Sequence, residues 1–353
     1  MTLLMLARTQ YRLSNILYLL ILLTAVSSIA VCVQASSPEF HENRFGHFDI
    51  GEVKNEMVPL NPSEEYSPPA STIDYFNYYG INFNDIRHFF GSFNAGDNVI
   101  AAHIYFPADP KGTIFLMHGY YDHAGILKNV IRFCLKQGFA VAVYDLPGHG
   151  LSTGERFSIN DFSEYVDVLN FFVDLYGDHL PEPFHLISHS TGAAIAYEYL
   201  NTSHTIIFDK VIFLAPLVHH SQWKISRAGY YLAKLFVEKL PRRKRINSSD
   251  PSFIEFVKND PLQSQMILPI KFLDALYAWD KRIRKYKTVL KPVMIIQGSN
   301  DVIVDWKYNV NFLGKKIETV HLRMIKNANH QLVNENPLVK SELFKFIEQY
   351  LED

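Results

Sequence analysis

The sequence has few cysteines and no marked excess of charge of either sign. Its 353 residues include only two cysteines, Cys32 and Cys134, which excludes a scaffold stapled by several disulfides. The 34 Lys and Arg residues against 36 Asp and Glu residues give a formal net charge of -2, so nothing electrostatic points to a nucleic-acid partner. Apolar residues make up 48% of the chain and charged residues 20%, which is typical of a globular protein.

A long apolar stretch lies near the N-terminus. Arg8 and Arg12 precede an apolar run over residues 13–33, and small residues follow at 35–37. This order is typical of an export signal, and the run is also just long enough to span a bilayer. We therefore predict that residues 1–35 are a signal peptide or an N-terminal membrane anchor, and that the chain is exported, either periplasmic or secreted or held at the membrane. The alternative is a buried N-terminal helix of the domain.

Residues 36–81 show little periodicity and contain five prolines. We expect a linker or an extended N-terminal arm on the domain surface. Residues 86–93 and 99–105 then form two apolar, β-prone runs around the turn-rich residues 94–98, which predicts a hairpin.

Short apolar runs alternate with longer amphipathic stretches through the rest of the chain. The runs predicted as strands buried on both faces are residues 113–117, 139–144, 184–187, 211–214, 293–296 and 320–325. Helical spacing occurs at 126–137 and 159–176, so the pattern predicts an α/β fold with a mostly parallel sheet flanked by helices. The alternation of short apolar runs and amphipathic stretches stops between residues 216 and 290, where only helical patterns appear, around 230–240 and 270–283. We therefore divide the domain into a core of residues 82–216 and 290–353 and a helical cap of residues 217–289.

Ser190 lies between a predicted strand and a predicted helix, in the sequence Ser188-His189-Ser190-Thr191-Gly192. This is the small-x-Ser-x-Gly form of a nucleophile elbow, in which small residues two positions before and after the serine let the strand and helix approach closely. The sequence therefore predicts Ser190 as a catalytic nucleophile. The alternative is an ordinary serine that caps the helix.

A serine nucleophile needs a base, and the base needs an acid to orient it. Asp301 follows one predicted strand and His330 follows the last, and the chain order Ser, Asp, His is that of this elbow type. We predict His330 as the base and Asp301 as the acid. Asp305 competes for the acid role, and His189 and His321 are weaker candidates for the base.

The oxyanion of a tetrahedral intermediate needs hydrogen-bond donors. The backbone amides of Tyr120, in the loop after the strand at 113–117, and of Thr191, directly after the nucleophile, are predicted to supply them. We expect His118 to hold this loop by hydrogen bonds rather than to take part in the chemistry.

These motifs resemble the monoacylglycerol lipase and lysophospholipase branch of the α/β-hydrolase superfamily. The resemblance covers about residues 82–351 and rests on His118-Gly119, residues 145–156 (DLPGHGLSTGER), the Ser190 elbow, residues 259–262 (NDPL), residues 298–301 (GSND) and His330. Ser188 departs from the family, which usually has glycine there. The resemblance implies an α/β-hydrolase fold and a serine hydrolase that cleaves carboxylic esters of acylated lipids through a Ser-His-Asp triad and an acyl-enzyme. It implies no metal and no cofactor.

Related functions remain open at this stage. The same triad serves peptidases and acyltransferases of this fold, and a non-catalytic acyl-binding protein could keep the fold. The choice between lysophospholipid and monoacylglycerol as substrate, and the oligomeric state, also stay open. An aspartate at position 190 would have indicated a dehalogenase or an epoxide hydrolase, so Ser190 excludes both.

Apolar residues of the predicted cap suit an acyl-lipid substrate. The residues predicted to contact the substrate are Trp223, Tyr231, Phe236 and Leu276 of the cap, together with Tyr121 of the loop after residues 113–117. They could equally pack the cap onto the core. The basic run at residues 241–245 (PRRKR) could bring the cap to the surface of a membrane with anionic head groups, or it could be a solvated turn.

Overall fold

An eight-stranded sheet forms the centre of the structure, a computed structural model that describes residues 46–242, 245–263 and 267–353. Its strands are β1 (Arg87–Ala95), β2 (Asn98–Phe106), β3 (Thr113–Met117), β4 (Ala140–Tyr144), β5 (Phe184–His189), β6 (Phe208–Leu214), β9 (Val293–Gly298) and β10 (Val320–Ile325). The strand order is β1-β2-β4-β3-β5-β6-β9-β10. β1 pairs antiparallel with β2 and β2 antiparallel with β4, whereas every other pair is parallel. The predicted hairpin and the predicted fold class are confirmed.

Helices cover both faces of this sheet because its central strands are apolar on both sides. In β3, Phe115 and Met117 pack into one hydrophobic core and Ile114 and Leu116 into another, as the alternation of side chains along a strand requires. The helices of the core domain are α3 (Lys128–Lys136), α4 (Phe162–Tyr176), α5 (Thr191–Thr202), α9 (Trp306–Lys316) and α10 (Pro337–Glu352).

One predicted strand differs from its expected environment. β10 forms the edge of the sheet and pairs with β9 alone, and four of its six residues, 321–324, are exposed. The prediction that this run is buried on both faces is therefore wrong. An apolar run has the same appearance in the sequence whether one neighbour or two lie beside it.

The segment predicted as a linker or surface arm contains two helices in its described part. These are α1 (Ile50–Glu56) and α2 (Ala70–Tyr79). Tyr75, Tyr78 and Tyr79 of α2 are buried in a hydrophobic cluster that also includes Phe90 of β1. The segment is therefore part of the packed domain and not an extended arm, because its aromatic side chains bury against the hairpin.

The segment predicted as a helical cap, residues 217–289, is inserted between β6 and β9. It contains α6 (Trp223–Ala233), α7 (Pro251–Lys258) and α8 (Ile270–Ile283), together with the short strands β7 (Lys239–Pro241) and β8 (Ile267–Pro269), which pair antiparallel. α8 matches the predicted helix at 270–283. The pattern predicted around residues 230–240 divides instead into the end of α6 and β7. α7 follows Asp250, whose side chain accepts hydrogen bonds from the first helical amides.

Asp260, at the end of α7, ties the insertion to the rest of the domain. Its Oδ1 accepts a hydrogen bond from the Tyr79 hydroxyl at 2.7 Å, and its Oδ2 lies 2.9 Å from His123 Nε2. Both side chains of the His123–Asp260 pair are fully buried. Burial alone would lower the pKa of His123, but the facing carboxylate raises it above its ordinary value. Through its contacts with Tyr79 and His123, the buried Asp260 carboxylate thus connects the insertion to α2 and to the loop after β3.

The predicted location of the chain needs correction. No helix in the described residues is both long and apolar enough to cross a membrane. The apolar run at residues 13–33 lies outside the described residues, so the structure gives no support to a signal peptide or to an anchor. The prediction of an exported or membrane-anchored chain is withdrawn on this finding.

Candidate active site

Ser190 occupies a strained turn between β5 and α5. Its backbone has φ 53° and ψ -110°, a combination that non-glycine residues rarely adopt. Its amide donates to Leu214 O at 2.9 Å, and its carbonyl accepts from the amides of Ala193 and Leu217, each at 3.1 Å. The end of β6 and the start of α5 thus hold the turn, which is the geometry predicted for the elbow.

Two glycines are required by the close approach of chain segments around this turn. A Cβ at Gly192 would lie 2.7 Å from Met117 O and 2.8 Å from His118 O. A Cβ at Gly119 would lie 2.9 Å from His189 Nδ1 and 3.2 Å from the Cβ of Ser190. The loop after β3, which carries the predicted oxyanion donor Tyr120 and is named the oxyanion loop, therefore packs against the elbow with no room for a side chain between them.

The structure brings together the three side chains predicted as a triad. His330 Nε2 lies 2.9 Å from Ser190 Oγ, and His330 Nδ1 lies 2.7 Å from Asp301 Oδ2. All three residues are buried. The imidazole can therefore exchange a proton with the hydroxyl on one side while the carboxylate fixes its orientation on the other.

The Asp301 carboxylate is held in its charged form. Its Oδ1 accepts hydrogen bonds from the amides of Ile303 at 2.8 Å and Val304 at 3.1 Å, and Gln297 Nε2 donates to its Oδ2 at 3.1 Å. Burial would raise the pKa of Asp301, but the charge and hydrogen bond of His330 and the hydrogen bonds from the Val304 and Ile303 amides hold it below its ordinary value. A charged carboxylate beside Nδ1 stabilises the imidazolium that forms when His330 accepts a proton.

The competing candidates lie elsewhere or contact other groups. The Asp305 carboxylate caps α9 and accepts from the amide of Tyr308 at 3.3 Å. His321 is on the exposed part of β10. His118 accepts from Leu146 N at 2.9 Å and contacts Gly119 O, so it holds the loop as expected.

His189 belongs to a buried network that reaches the loop of His330. Its Nε2 lies 3.1 Å from the backbone oxygen of His330, and its Nδ1 lies 3.4 Å from Asp122 Oδ2. Gln331 Nε2 donates to both carboxylate oxygens of Asp122, at 3.0 and 2.9 Å. Sequence reasoning missed Asp122 and Gln331, since they are 209 residues apart and match no motif.

The two predicted oxyanion donors border the same cavity as the nucleophile. Tyr120 and Thr191 both line it. Neither backbone amide donates to an acceptor within the described residues. Thr191 is the first residue of α5, where an amide has no intrahelical partner. Both amides are thus free to bind a developing negative charge.

A cavity of about 680 Å³ extends from Ser190 into the insertion. Its apolar wall comes from α6, β7, β8 and α8, and includes Tyr230, Ala233, Leu240, Leu268, Phe272, Leu273 and Leu276. Its polar part includes His220, Arg242 and Arg245, whereas Arg243 and Lys244 lie outside the described residues. Core and insertion together therefore enclose a space of the size of a small-molecule site.

Of the five residues predicted to contact substrate, Tyr121 and Leu276 line this cavity. Trp223, Tyr231 and Phe236 do not. The reason is helical phase, because α6 directs Ser226, Gly229, Tyr230 and Ala233 to the cavity, one stripe at three- and four-residue spacing. Tyr231 directly follows Tyr230 and therefore lies outside that stripe. Phe236 lies beyond the end of the helix and is 82% exposed. Trp223 is buried and stacks on His219.

The sheet order and the serine on its strained strand-to-helix turn are those of the α/β hydrolases. A family model described as serine aminopeptidase, S33, matches residues 108–337, and the chain belongs to that family.

Relatives narrow the branch, and a solved structure shares the fold. The mouse monoglyceride lipase is 28% identical over 251 residues, which cover 69% of this chain and 82% of that protein. A monoglyceride lipase homolog of monkeypox virus is 26% identical over 250 residues, covering 69% of this chain and 90% of that protein. The crystal structure of a soluble variant of the Saccharomyces cerevisiae monoglyceride lipase with a substrate analog has a TM-score of 0.64 at 18% identity, over 74% of this chain and 93% of that one. The chain is thus an enzyme of the monoacylglycerol lipase-like branch, whose members are carboxylic ester hydrolases.

We expect Gly119→Ala to lower kcat for a short p-nitrophenyl ester by about ten- to a hundredfold, because a displaced elbow misplaces the reacting atoms. The matched control is Gly314→Ala in α9, where the added Cβ would meet no heavy atom within 4 Å other than those of its two chain neighbours and of the helix backbone itself. That variant should keep its activity and gain up to about 1 kcal/mol of stability. Equal activity of the two variants would contradict the close packing described for Gly119.

Proposed function

We propose that this chain is a serine hydrolase that cleaves carboxylic esters of acylated lipids, lysophospholipid or monoacylglycerol, through an acyl-enzyme. One observation carries the proposal: the Ser190 hydroxyl is within 2.9 Å of the His330 imidazole and opens into a cavity with a largely apolar wall. A buried serine with a base in place is suited to attack a carbonyl, and the apolar wall is suited to hold an acyl chain.

The reaction proceeds in two acyl-transfer steps. His330 Nε2 takes the proton of Ser190 Oγ while the oxygen attacks the ester carbonyl, and Asp301 stabilises the resulting imidazolium. The same proton then passes to the leaving alcohol, which departs and leaves the acyl group on Ser190. A water molecule gives a proton to His330 while its oxygen attacks the acyl carbonyl. His330 then returns that proton to Ser190 Oγ as the bond between Oγ and the acyl carbon breaks and the fatty acid is released. The Tyr120 and Thr191 amides bind the oxyanion in both steps.

The peptidase alternative, raised by the description of the family model, fits the cavity less well. An aminopeptidase needs a negative group for the substrate's ammonium. Among the described lining residues, Asp122 is the one carboxylate, and it already accepts two hydrogen bonds from Gln331. Arg242 and Arg245 would repel an ammonium.

The contact between Ser190 and His330 argues in turn against a purely acyl-binding protein. No described lining residue favours an acyltransferase, so water is the expected acceptor.

Ser190→Ala should abolish ester hydrolysis, with kcat reduced by about 10⁴-fold or more, while the protein still folds. The measurement is turnover of monoacylglycerol and lysophospholipid, together with labelling by a fluorophosphonate probe. Ser188→Ala is the matched control, because the Ser188 side chain is buried in the same turn and its Oγ has no partner in the described structure. Labelling of a serine other than Ser190, or turnover near the wild-type rate in folded Ser190→Ala, would refute the assignment.

Asp301→Asn should cost about 10⁴-fold in kcat, because an amide beside Nδ1 favours the wrong imidazole tautomer. Asp305→Asn should leave kcat within a few fold, and any loss should be in stability, at most about 1 kcal/mol for a weakened helix cap. Steady-state kinetics and thermal unfolding of both variants provide the comparison. The opposite order of damage would move the acid role to Asp305.

We also propose that the insertion acts as a cap that contacts the surface of a micelle or vesicle in which the substrate is dissolved. α6 and the loop after it expose large apolar side chains close in sequence to the cavity-lining Tyr230 and Ala233. These are Ile225, Tyr231, Leu232, Leu235, Phe236 and Val237. A cluster of six large, exposed apolar side chains typically marks an interaction surface.

Replacing Leu235 and Phe236 with serine should weaken binding to phosphatidylcholine vesicles by at least about tenfold, given about 1.5–3 kcal/mol for full burial of each side chain. Turnover of a monomeric short-chain ester should be unchanged. The control replaces Phe171 and Leu175, which are exposed on α4 of the core, with serine. If both double variants bind vesicles alike, the cap surface has no such role.

A further inference from the structure

Two arginines of the insertion line the same cavity as Ser190 without a carboxylate partner. Arg242 directly follows β7 and is half-buried, and Arg245 lies three residues further on at the exposed mouth. Among the ion pairs of the described residues, none involves either arginine. The cavity therefore contains two positive charges with which no carboxylate of the described residues pairs.

Neutral groups hold both guanidinium groups in place. The Arg242 guanidinium carbon lies over the Tyr121 ring, 4.3 Å from its centroid. Arg245 Nη1 donates to Ser221 Oγ at 2.7 Å and contacts Val302 O at 3.4 Å. A guanidinium carries five N–H donors, so these contacts orient each side chain and leave donors available. The arginines are thus positioned before any ligand binds.

No carboxylate among the described lining residues forms an ion pair with either arginine. The lining residue whose charge could pair with an arginine is Asp122, and both of its carboxylate oxygens already accept hydrogen bonds from Gln331. Burial lowers the pKa of His220, and the charges of Arg242 and Arg245 lower it further, against a hydrogen bond to Ser221 O that raises it. His220 is therefore neutral near pH 7. Among the described lining residues, the positive charges in this part of the cavity are therefore those of Arg242 and Arg245.

The rest of the cavity is apolar, so the site as a whole is amphiphilic. Leu240, Leu268 and Phe272 offer surface for an acyl chain. A neutral acylglycerol would use that surface and leave the two guanidinium groups without a counter-charge. A phosphate on the same molecule would accept charge-assisted, bidentate hydrogen bonds, which are among the strongest that proteins make.

We propose that Arg242 and Arg245 form a subsite for a phosphate group on the substrate, so that the enzyme prefers acyl esters bearing a phosphate, such as a 1-acylglycerol 3-phosphate, over neutral monoacylglycerols. This inference rests on the proposed ester hydrolysis and selects one substrate class within it. It also gives two residues of the basic run a role inside the cavity, in place of contact with a lipid surface.

The test uses 1-butanoylglycerol and 1-butanoylglycerol 3-phosphate, which are both monomeric, so that no lipid surface is present. Wild-type kcat/KM should be at least about tenfold higher for the phosphate ester, because hydrogen bonds to a charged group are stronger than those to a neutral one. Replacing Arg242 and Arg245 with glutamine should reduce kcat/KM at least about tenfold more for the phosphate ester than for the neutral ester, mainly through KM. Lys239→Gln, in β7 but outside the cavity lining, should leave the preference intact.

Equal losses on the two esters, or a wild-type preference for the neutral ester, would overturn the subsite while leaving ester hydrolysis standing. If the glutamine variant fails to fold, added sodium chloride serves instead, because screening should reduce the preference for the phosphate ester. A preference that does not change with salt would count against the subsite.

Binding of non-hydrolysable ether analogues separates this inference from the proposed function. A 1-alkylglycerol 3-phosphate should bind the wild-type protein at least about tenfold more tightly than the 1-alkylglycerol, as measured by calorimetry, even if neither butanoyl ester is hydrolysed. Equal affinities would refute the subsite independently of catalysis. If the arginines affect only binding to anionic vesicles, and not these monomeric ligands, they contact a lipid surface instead.

Discussion

The positive φ of Ser190 is the constraint on which the site depends. A non-glycine residue in such a conformation costs about 1–3 kcal/mol and persists only where its surroundings fix it. Here the hydrogen bond of its amide to Leu214 O and the bond of its carbonyl from Leu217 N join it to the end of β6. Gly192 and Gly119 let α5 and the oxyanion loop close around it. The parallel strands β5 and β6, side by side, are therefore what holds the nucleophile out of the sheet toward His330.

Much of the core and of the site could be predicted from the sequence, because both depend on short-range patterns. Runs such as residues 113–117 and 293–296 are apolar enough to be strands whatever surrounds them, and Ser190, Asp301 and His330 each follow such a run. The edge position of β10 could not be predicted, since it depends on the number of neighbouring strands. The sequence did not indicate α2, because prolines lie around it. Pro69 nevertheless stands at the helix N-cap, where its ring does not disturb the hydrogen bonds of the helix.

The insertion shows what short-range patterns leave undetermined. Its apolar content indicated helices, but which apolar residues face the cavity depends on helical phase and on where α6 ends. Tyr230 and Tyr231 are adjacent and chemically alike, yet the first lines the cavity and the second is exposed. Likewise the contact between Asp122 and Gln331 joins two distant loops, and no local pattern reports it. These facts follow from tertiary packing alone.

The contacts of the Asp260 side chain limit how far the N-terminal part of this protein can be truncated. The matched family region, residues 108–337, omits α2, and with it the Tyr79 hydroxyl that donates to the buried Asp260 carboxylate. A fragment trimmed to that region would leave this oxygen one donor short, at a cost of about 1–3 kcal/mol, and would also lose the β1–β2 hairpin from the sheet. The region matched by the family model is therefore shorter than the folding unit, and α2 supports the insertion that lines the cavity.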